Sequence, residues 1–393
     1  MSRPGNSKRA RVRRADVVVV GGGVMGSACA LALADAGANV VVLEKSVPGA
    51  EASSAAAGIL GAHAEAHGPG PMAELLLAGL GRYPSWSKSL YERTGIDVEL
   101  RPSGVLRVAS DRATLARLRR EAAWMRDAKR DVVELDAARV QRLEKALAPS
   151  AGALRFPGDA RVDPKLLFRA IHIAAQRAGV AFESGAYVKR VLVERERAKG
   201  VLVEDGTEYV AQLVVVAAGS WSTFVAGTPL DAGAVIPARG QMVELAMPAP
   251  PLSHVVMGPR CYLVPRDDGR VLVGATVEFV GYRREVTAGA VRELLSAALD
   301  LVPSLEAAVL RDTWSSFRPF TPDELPLLGR TRVAGLLLAT GHYRNGILLA
   351  PITAEIIAAI AAGKAPPVDV TPFEASRLEA PPPQKRARKA KPG

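Results

Sequence analysis

The chain has 393 residues, 49% of them apolar, with two cysteines and a net charge of +11. That length holds two domains and a sizeable core, and two cysteines exclude a disulfide framework and suit a reducing compartment. So basic a chain invites a nucleic-acid or anionic-membrane partner, but residues 1–14 carry six cations, residues 381–393 carry five, and neither tail has an acid. The body between the tails is therefore neutral.

Residues 1–14 and 373–393 lack apolar periodicity, are broken by Pro and Gly, and read as disordered basic tails. Nucleic acid is not expected as a partner. The apolar stretch after the basic start is interrupted at once by Gly21, Gly22 and Gly23, which argues against a secretory or twin-arginine signal. No apolar run is expected to reach the ~18 residues of a membrane span. The expectation is a cytoplasmic protein without a membrane segment.

Residues 16–45 read as strand, glycine turn, helix and strand. Asp16–Val20 is short and β-branched. Gly21, Gly23 and Gly26 then give the G-x-G-x-x-G spacing, an Ala/Leu-rich helix follows, and Gly37 ends it before a strand closed by Glu44. Gly21 allows the tight turn, Gly23 lets a pyrophosphate approach the backbone, and Gly26 lets the helix pack on the strand. The phosphates would meet free N–H groups at the positive end of the helix. Glu44 can accept both hydroxyls of an adenosine ribose. This frame marks a dinucleotide site without separating FAD from NAD.

A small, weakly charged segment follows to Gly68 and suits a loop against a ligand. His63 and His67 flank Glu65 in it, but no third ligand follows at a sensible spacing, so no metal is expected. Residues 75–93 and 111–129 read as helices, with a strand over 100–109 between them, and 136–147 as another helix. Asp163 is an N-cap, Pro164 fits the first turn, and Gly179 ends that helix. His172 on it reads as a packing residue.

From residue 186 the pattern is that of strands: 187–194, 200–204 and 208–211, with a turn at Asp205-Gly206. Residues 213–217 form a fully apolar strand. A dehydrogenase sheet would continue directly after Glu44, whereas here the next buried strand of that kind comes some 170 residues later. The dinucleotide domain is thus interrupted. Further strands read at 241–246, 261–265, 270–277 and 335–341, with helices over 287–301 and 346–362.

The stretches SAAAGILGAHAE, FPGDARVDP, RCYLVPR, VLVGATVE and above all GHYRNGILLAP resemble the D-amino-acid oxidase family of FAD-dependent oxidoreductases. The likeness is greatest to its glycine-oxidising branch in thiamine biosynthesis, and it covers about residues 15–370. It implies an α/β fold, a Rossmann-like FAD-binding domain (15–90, 155–230 and 320–372) interrupted by a mixed-sheet substrate domain (91–154 and 231–319).

It also implies non-covalent FAD. Gly21, Gly23, Val24, Met25 and Gly26 would hold the pyrophosphate, and Glu44 the ribose with Lys45 beside it. Ala52, Ser53, Ala57, Gly58 and Ile59 would line the ribityl chain and ring, and Val188 would meet the adenine through its backbone. His342, Tyr343, Arg344, Asn345, Gly346, Ile347 and Leu348 would bring a helix start to the pyrimidine end of the flavin.

For the substrate, the resemblance implies a carboxylate grip by Arg318 and Tyr262, with Arg344 third. Arg318 stands among Trp314, Phe317 and Phe320, and a guanidinium in apolar surroundings needs a partner, which a carboxylate fork or an internal salt bridge would supply. Ile59 and Val277 stand where some members carry Met and would border the pocket. The implied reaction passes a hydride from glycine or sarcosine to flavin N5, and gives an imine or glyoxylate, ammonia and, with dioxygen, hydrogen peroxide. No side chain is named as a general base. A homotetramer is implied as well. The alternatives are a sarcosine or D-amino-acid oxidase or dehydrogenase, and a nucleic-acid-associated flavoprotein acting through its tails.

Overall fold

The strand Val17–Val20 lies inside a six-stranded sheet, between Leu213–Val216 and Val40–Glu44, and pairs in parallel with both. Leu336–Thr340 and the antiparallel Leu327–Arg330 extend one side, and Ala181–Ser184 the other. The computed structural model describes residues 11–128 and 130–380. Both faces of the sheet are covered, which is why its strands are continuous Val/Leu runs. Val17 and Val19 pack with Leu31, Leu167, Ile171, Ile352 and Ile356 of three helices: Val24–Asp35, Pro164–Arg177 and Gly346–Ala361. Val18 and Val20 point to the other face, against Val191, Val201 and Tyr209.

That second layer is a four-stranded sheet of Val188–Glu194, Arg197–Val203, Glu208–Val210 and Val12–Arg14. The last strand corrects the reading of residues 1–14 as a disordered tail. Its peptide groups pair in parallel with Glu208–Val210, and Arg13 bonds Tyr209 and Glu183. The other tail boundary also moves. Phe373 and Ala375 are buried, and Glu379 bridges to Leu230. The expectations for residues 1–10 and 381–393 lie outside the described residues.

An eight-stranded mixed sheet collects Val309–Phe320, Ile236–Ala246, Arg270–Gly274, Tyr262–Pro265, Val255–Met257, Val105–Ala109, Gly152–Phe156 and Val133–Asp136, in that spatial order. The helix Ala288–Leu301, capped by Thr287, covers one face through Leu294, Ala297 and Ala298 against Val243, Leu263 and Val273. The opposite face turns toward the first sheet.

Several sequence readings shift. The strand expected from residue 100 begins at Val105, and the helix expected over 111–129 is two, Arg112–Glu121 and Ala123–Asp127. The Val133–Asp136 and Gly152–Phe156 strands gave no clear signal, because they are short and placed by pairing, the second between Val105–Ala109 and the first. The 270–277 strand stops at Gly274, which leaves Val277 in a loop. The segment Tyr343–Ala361 is long and apolar enough by length and composition to cross a membrane, contrary to the expectation that no run would be. Most of it is buried in the core here, where it packs against Val24–Asp35 and Pro71–Thr94. Asp163 accepts from the Lys165 and Leu166 N–H groups as its N-cap reading requires, and His172 lies between Phe168 and Phe182.

Candidate functional site

A cavity of about 490 Å³ runs between the C-terminal ends of the parallel strands and the free face of the eight-stranded sheet. Its floor is the glycine turn. Gly21 has φ +104°, and a Cβ on it would stand 2.6 Å from the Ala217 carbonyl oxygen. A Cβ on Gly26 would stand 1.9 Å from the Gly21 carbonyl oxygen. Both positions therefore require glycine for contact with backbone. The Val24 N–H donates to Ser53 Oγ at 2.8 Å, which draws the 52–59 segment over the helix start. Glu44 is buried. Its carboxylate accepts from the Gly22 N–H at 2.8 Å and the Ser46 N–H at 2.9 Å, and keeps free lone pairs at the cavity edge. Lys45 lies over the Trp221 ring, 3.3 Å from its centroid.

The roof is one lateral row of the eight-stranded sheet. Arg107 pairs with Met257, Met257 with Tyr262, Tyr262 with Gly274, and Gly274 with Met242. Residues in register share a face, so all five reach the cavity. Glycine in the row serves a purpose. A Cβ on Gly274 would stand 2.5 Å from the Tyr262 ring, and one on Gly240 would stand 2.5 Å from the Arg318 guanidinium. The two side chains lie flat over these glycines. Arg318 Nη1 donates to the Thr276 carbonyl at 3.0 Å, and no carboxylate among the described residues forms an ion pair with it. The internal salt bridge is therefore not formed, and the guanidinium keeps donors free in the cavity. Burial pushes the Tyr262 phenol above its ordinary value, against the opposing pull of Arg318. It is a neutral donor at physiological pH.

Tyr343, His342 and Arg344 close one end. His342 is buried, bonds Thr353 Oγ1 at 3.0 Å through Nε2, and is pulled by burial down to about 3, so its imidazole is neutral. Arg344 is exposed and lies against the Tyr343 ring. Ile59 lines the inner wall from the Ile59–Leu60 strand, while Val277 is 39% exposed at the mouth.

Three residues from the expected flavin set do not line the cavity. Gly26 is taken up by helix–strand packing. Asn345 starts the last helix without a side-chain cap bond, and Leu348 is buried with its carbonyl near Gly79. The other expected residues do line it. The structure adds Glu65, Arg107, Met242, Met257 and Trp221, which the sequence reading did not place at the site. Asp159 accepts from His63 N, His63 Nδ1 and Ala64 N and so fixes the loop that carries Glu65. Burial raises the Glu65 carboxyl above the usual range, while Arg344 and Arg318 oppose the shift. No group of three or more metal-ligating side chains occurs among the described residues.

A nucleotide-binding α/β frame roofed by a mixed sheet that carries a Tyr and an open Arg sets a dinucleotide cradle beside a grip for an anionic group. The chain belongs to the family of FAD dependent oxidoreductases, whose model matches residues 16–360. It is 36% identical to the glycine oxidase of Geobacillus kaustophilus over 93% of this chain and 97% of that protein. The crystal structure of that glycine oxidase superposes with a TM-score of 0.88, covering 93% of this chain and 99% of that one. The chain is 39% identical to a bifunctional ThiO/ThiG protein of Synechocystis over 87% of its own length, and spans about half, 51%, of that relative. An iminodiacetate oxidase from Chelativorans is 30% identical, with a TM-score of 0.83 over 91% of this chain and 98% of that one.

Proposed function

We propose that the protein is an FAD-dependent amine oxidase acting on glycine and small relatives such as sarcosine, and that it supplies the oxidised glycine used in thiamine biosynthesis. The observation that carries this reading is the open Arg318 guanidinium beside the protonated Tyr262 phenol in a cavity that continues to the glycine turn. The glycine cradle and the two free edges of Glu44 fit a dinucleotide held without a covalent bond. Gly21, Gly23, Val24 and Met25 would hold its pyrophosphate, Glu44 its ribose, and Val188 its adenine end. Ala52, Ser53, Ala57, Gly58, Ile59 and the His342–Ile347 turn would surround the ring. Bound FAD supplies the two-electron acceptor, which dioxygen regenerates.

Arg318 and Tyr262 pin the substrate carboxylate by charge-assisted bonds. Fixing the carboxylate also fixes the Cα–H direction, so orientation carries most of the catalysis. Ile59 limits the space beside Cα. The net change turns glycine, dioxygen and water into glyoxylate, ammonia and hydrogen peroxide. We also propose the two-domain division given above, a cytoplasmic location and a homotetramer, without nucleic acid as a partner.

The test is a peroxide assay across a substrate series. A methyl group is worth only ~1–3 kcal/mol of discrimination in an apolar pocket. Glycine and sarcosine should be used best, D-alanine more weakly and D-phenylalanine hardly at all. A kcat/KM for D-phenylalanine above that for glycine would replace this reading with a general D-amino-acid oxidase.

A further inference from the structure

The helix Gly346–Ala361 starts at the cavity, where Gly346 and Ile347 form part of the wall. Its first turn is incomplete as a helix. Pro351 lies inside it, and proline has no N–H and crowds the carbonyl four residues back. That carbonyl belongs to Ile347. Ile347 is buried, so water does not readily stand in for the missing donor.

A side chain from another helix fills the gap. The Tyr83 phenol, on Pro71–Thr94, donates to the Ile347 carbonyl at 2.5 Å. Tyr83 is 1% exposed and does not line the cavity. Gly79 stands one turn earlier on the same face of its helix. A Cβ there would be 2.7 Å from the Leu348 carbonyl oxygen. The Pro71–Thr94 helix thus offers a notch and a donor to two successive carbonyls at the start of its neighbour. The other tie in this region, His342 to Thr353, leaves the Ile347 carbonyl untouched.

We infer that Tyr83 is a positioning residue of the flavin site: its phenol replaces the backbone bond that Pro351 removes, and so fixes how the first-turn N–H groups of Gly346 and Ile347 face the cavity. The inference rests on FAD occupying this cavity and is independent of which amine is oxidised.

The test is a double-mutant cycle of Y83F, P351A and Y83F/P351A, read as the FAD dissociation constant of the apoprotein by flavin fluorescence, with the melting temperature measured alongside. Y83F should weaken FAD binding by about fivefold or more, because the released first turn holds its binding conformation in a smaller fraction of the apoprotein. In the P351A background the backbone again offers an N–H to Ile347, and the same Tyr-to-Phe change should alter binding by less than about twofold. A purely structural role would lower the melting temperature of Y83F and leave its FAD affinity unchanged, and that result overturns the inference. An equal loss in both backgrounds overturns it too. Where Y83F alone does not fold, a folded, FAD-binding double variant supports the inference and an unfolded one defeats it. A normal cycle in a protein that rejects glycine would refute only the substrate proposal.

Discussion

Replacing Arg318 with Ala tests the proposed carboxylate grip. In the structure this guanidinium donates to the Thr276 carbonyl at 3.0 Å and lies flat over Gly240. Its loss removes one neutral-acceptor contact from the free protein, about 1 kcal/mol of stability. The bound state loses far more. A charge-assisted, fork-shaped contact to a carboxylate is worth ~2–4 kcal/mol, or about 30- to 1,000-fold in kcat/KM for glycine. R318K keeps a point charge without the fork and should fall between the two. Steady-state peroxide assays give kcat/KM. Titration with glycolate, a carboxylate that lacks the amine, followed through the flavin spectrum, gives the binding loss without turnover. The flavin-to-protein ratio should stay near that of the unaltered protein. An R318A enzyme within about threefold of the parent in both assays would refute the assignment and make Arg344 the anchor.

Gly26→Ala should give protein depleted of FAD and destabilised by about 3 kcal/mol or more, since the added Cβ meets the Gly21 carbonyl oxygen and both partners are backbone; flavin content and the melting temperature check this. Deleting residues 1–10 should change nothing, whereas deleting through Arg14 strips a strand and the Arg13 contacts and should lower the melting temperature by several degrees with kcat unaltered. The third outcome concerns acid. His342 is pulled from 6.5 to about 3 in the folded protein, so the unfolded chain binds the extra proton between these values and stability falls as pH drops through that window. The loss should be on the order of a few kcal/mol in urea midpoints between pH 7 and pH 4, and H342Q should flatten it.

The nucleotide frame was legible because it is local. Strand, turn and helix stand next to one another in the chain, and Gly21 and Gly26 meet across five residues through their own backbone. The cap at Asp163 was legible for the same reason, since its acceptors lie two and three residues on. The extent of the ordered ends was misread, because Val12–Arg14 has no pattern of its own and becomes a strand only beside Glu208–Val210. Arg318 and Tyr262 were reached from the sequence through resemblance, while their meeting over Gly240 and Gly274 was decided by register. Arg107 entered the same row through Met257, across some 150 residues of chain. A two-residue period assigns side chains to alternating faces of a strand but does not say which strand lies alongside or which face meets the cavity. Tyr83 follows the same logic. Pro351, which the sequence reading passed over inside its last helix, leaves the Ile347 carbonyl without a donor, and the packing of two helices decided which side chain supplies it.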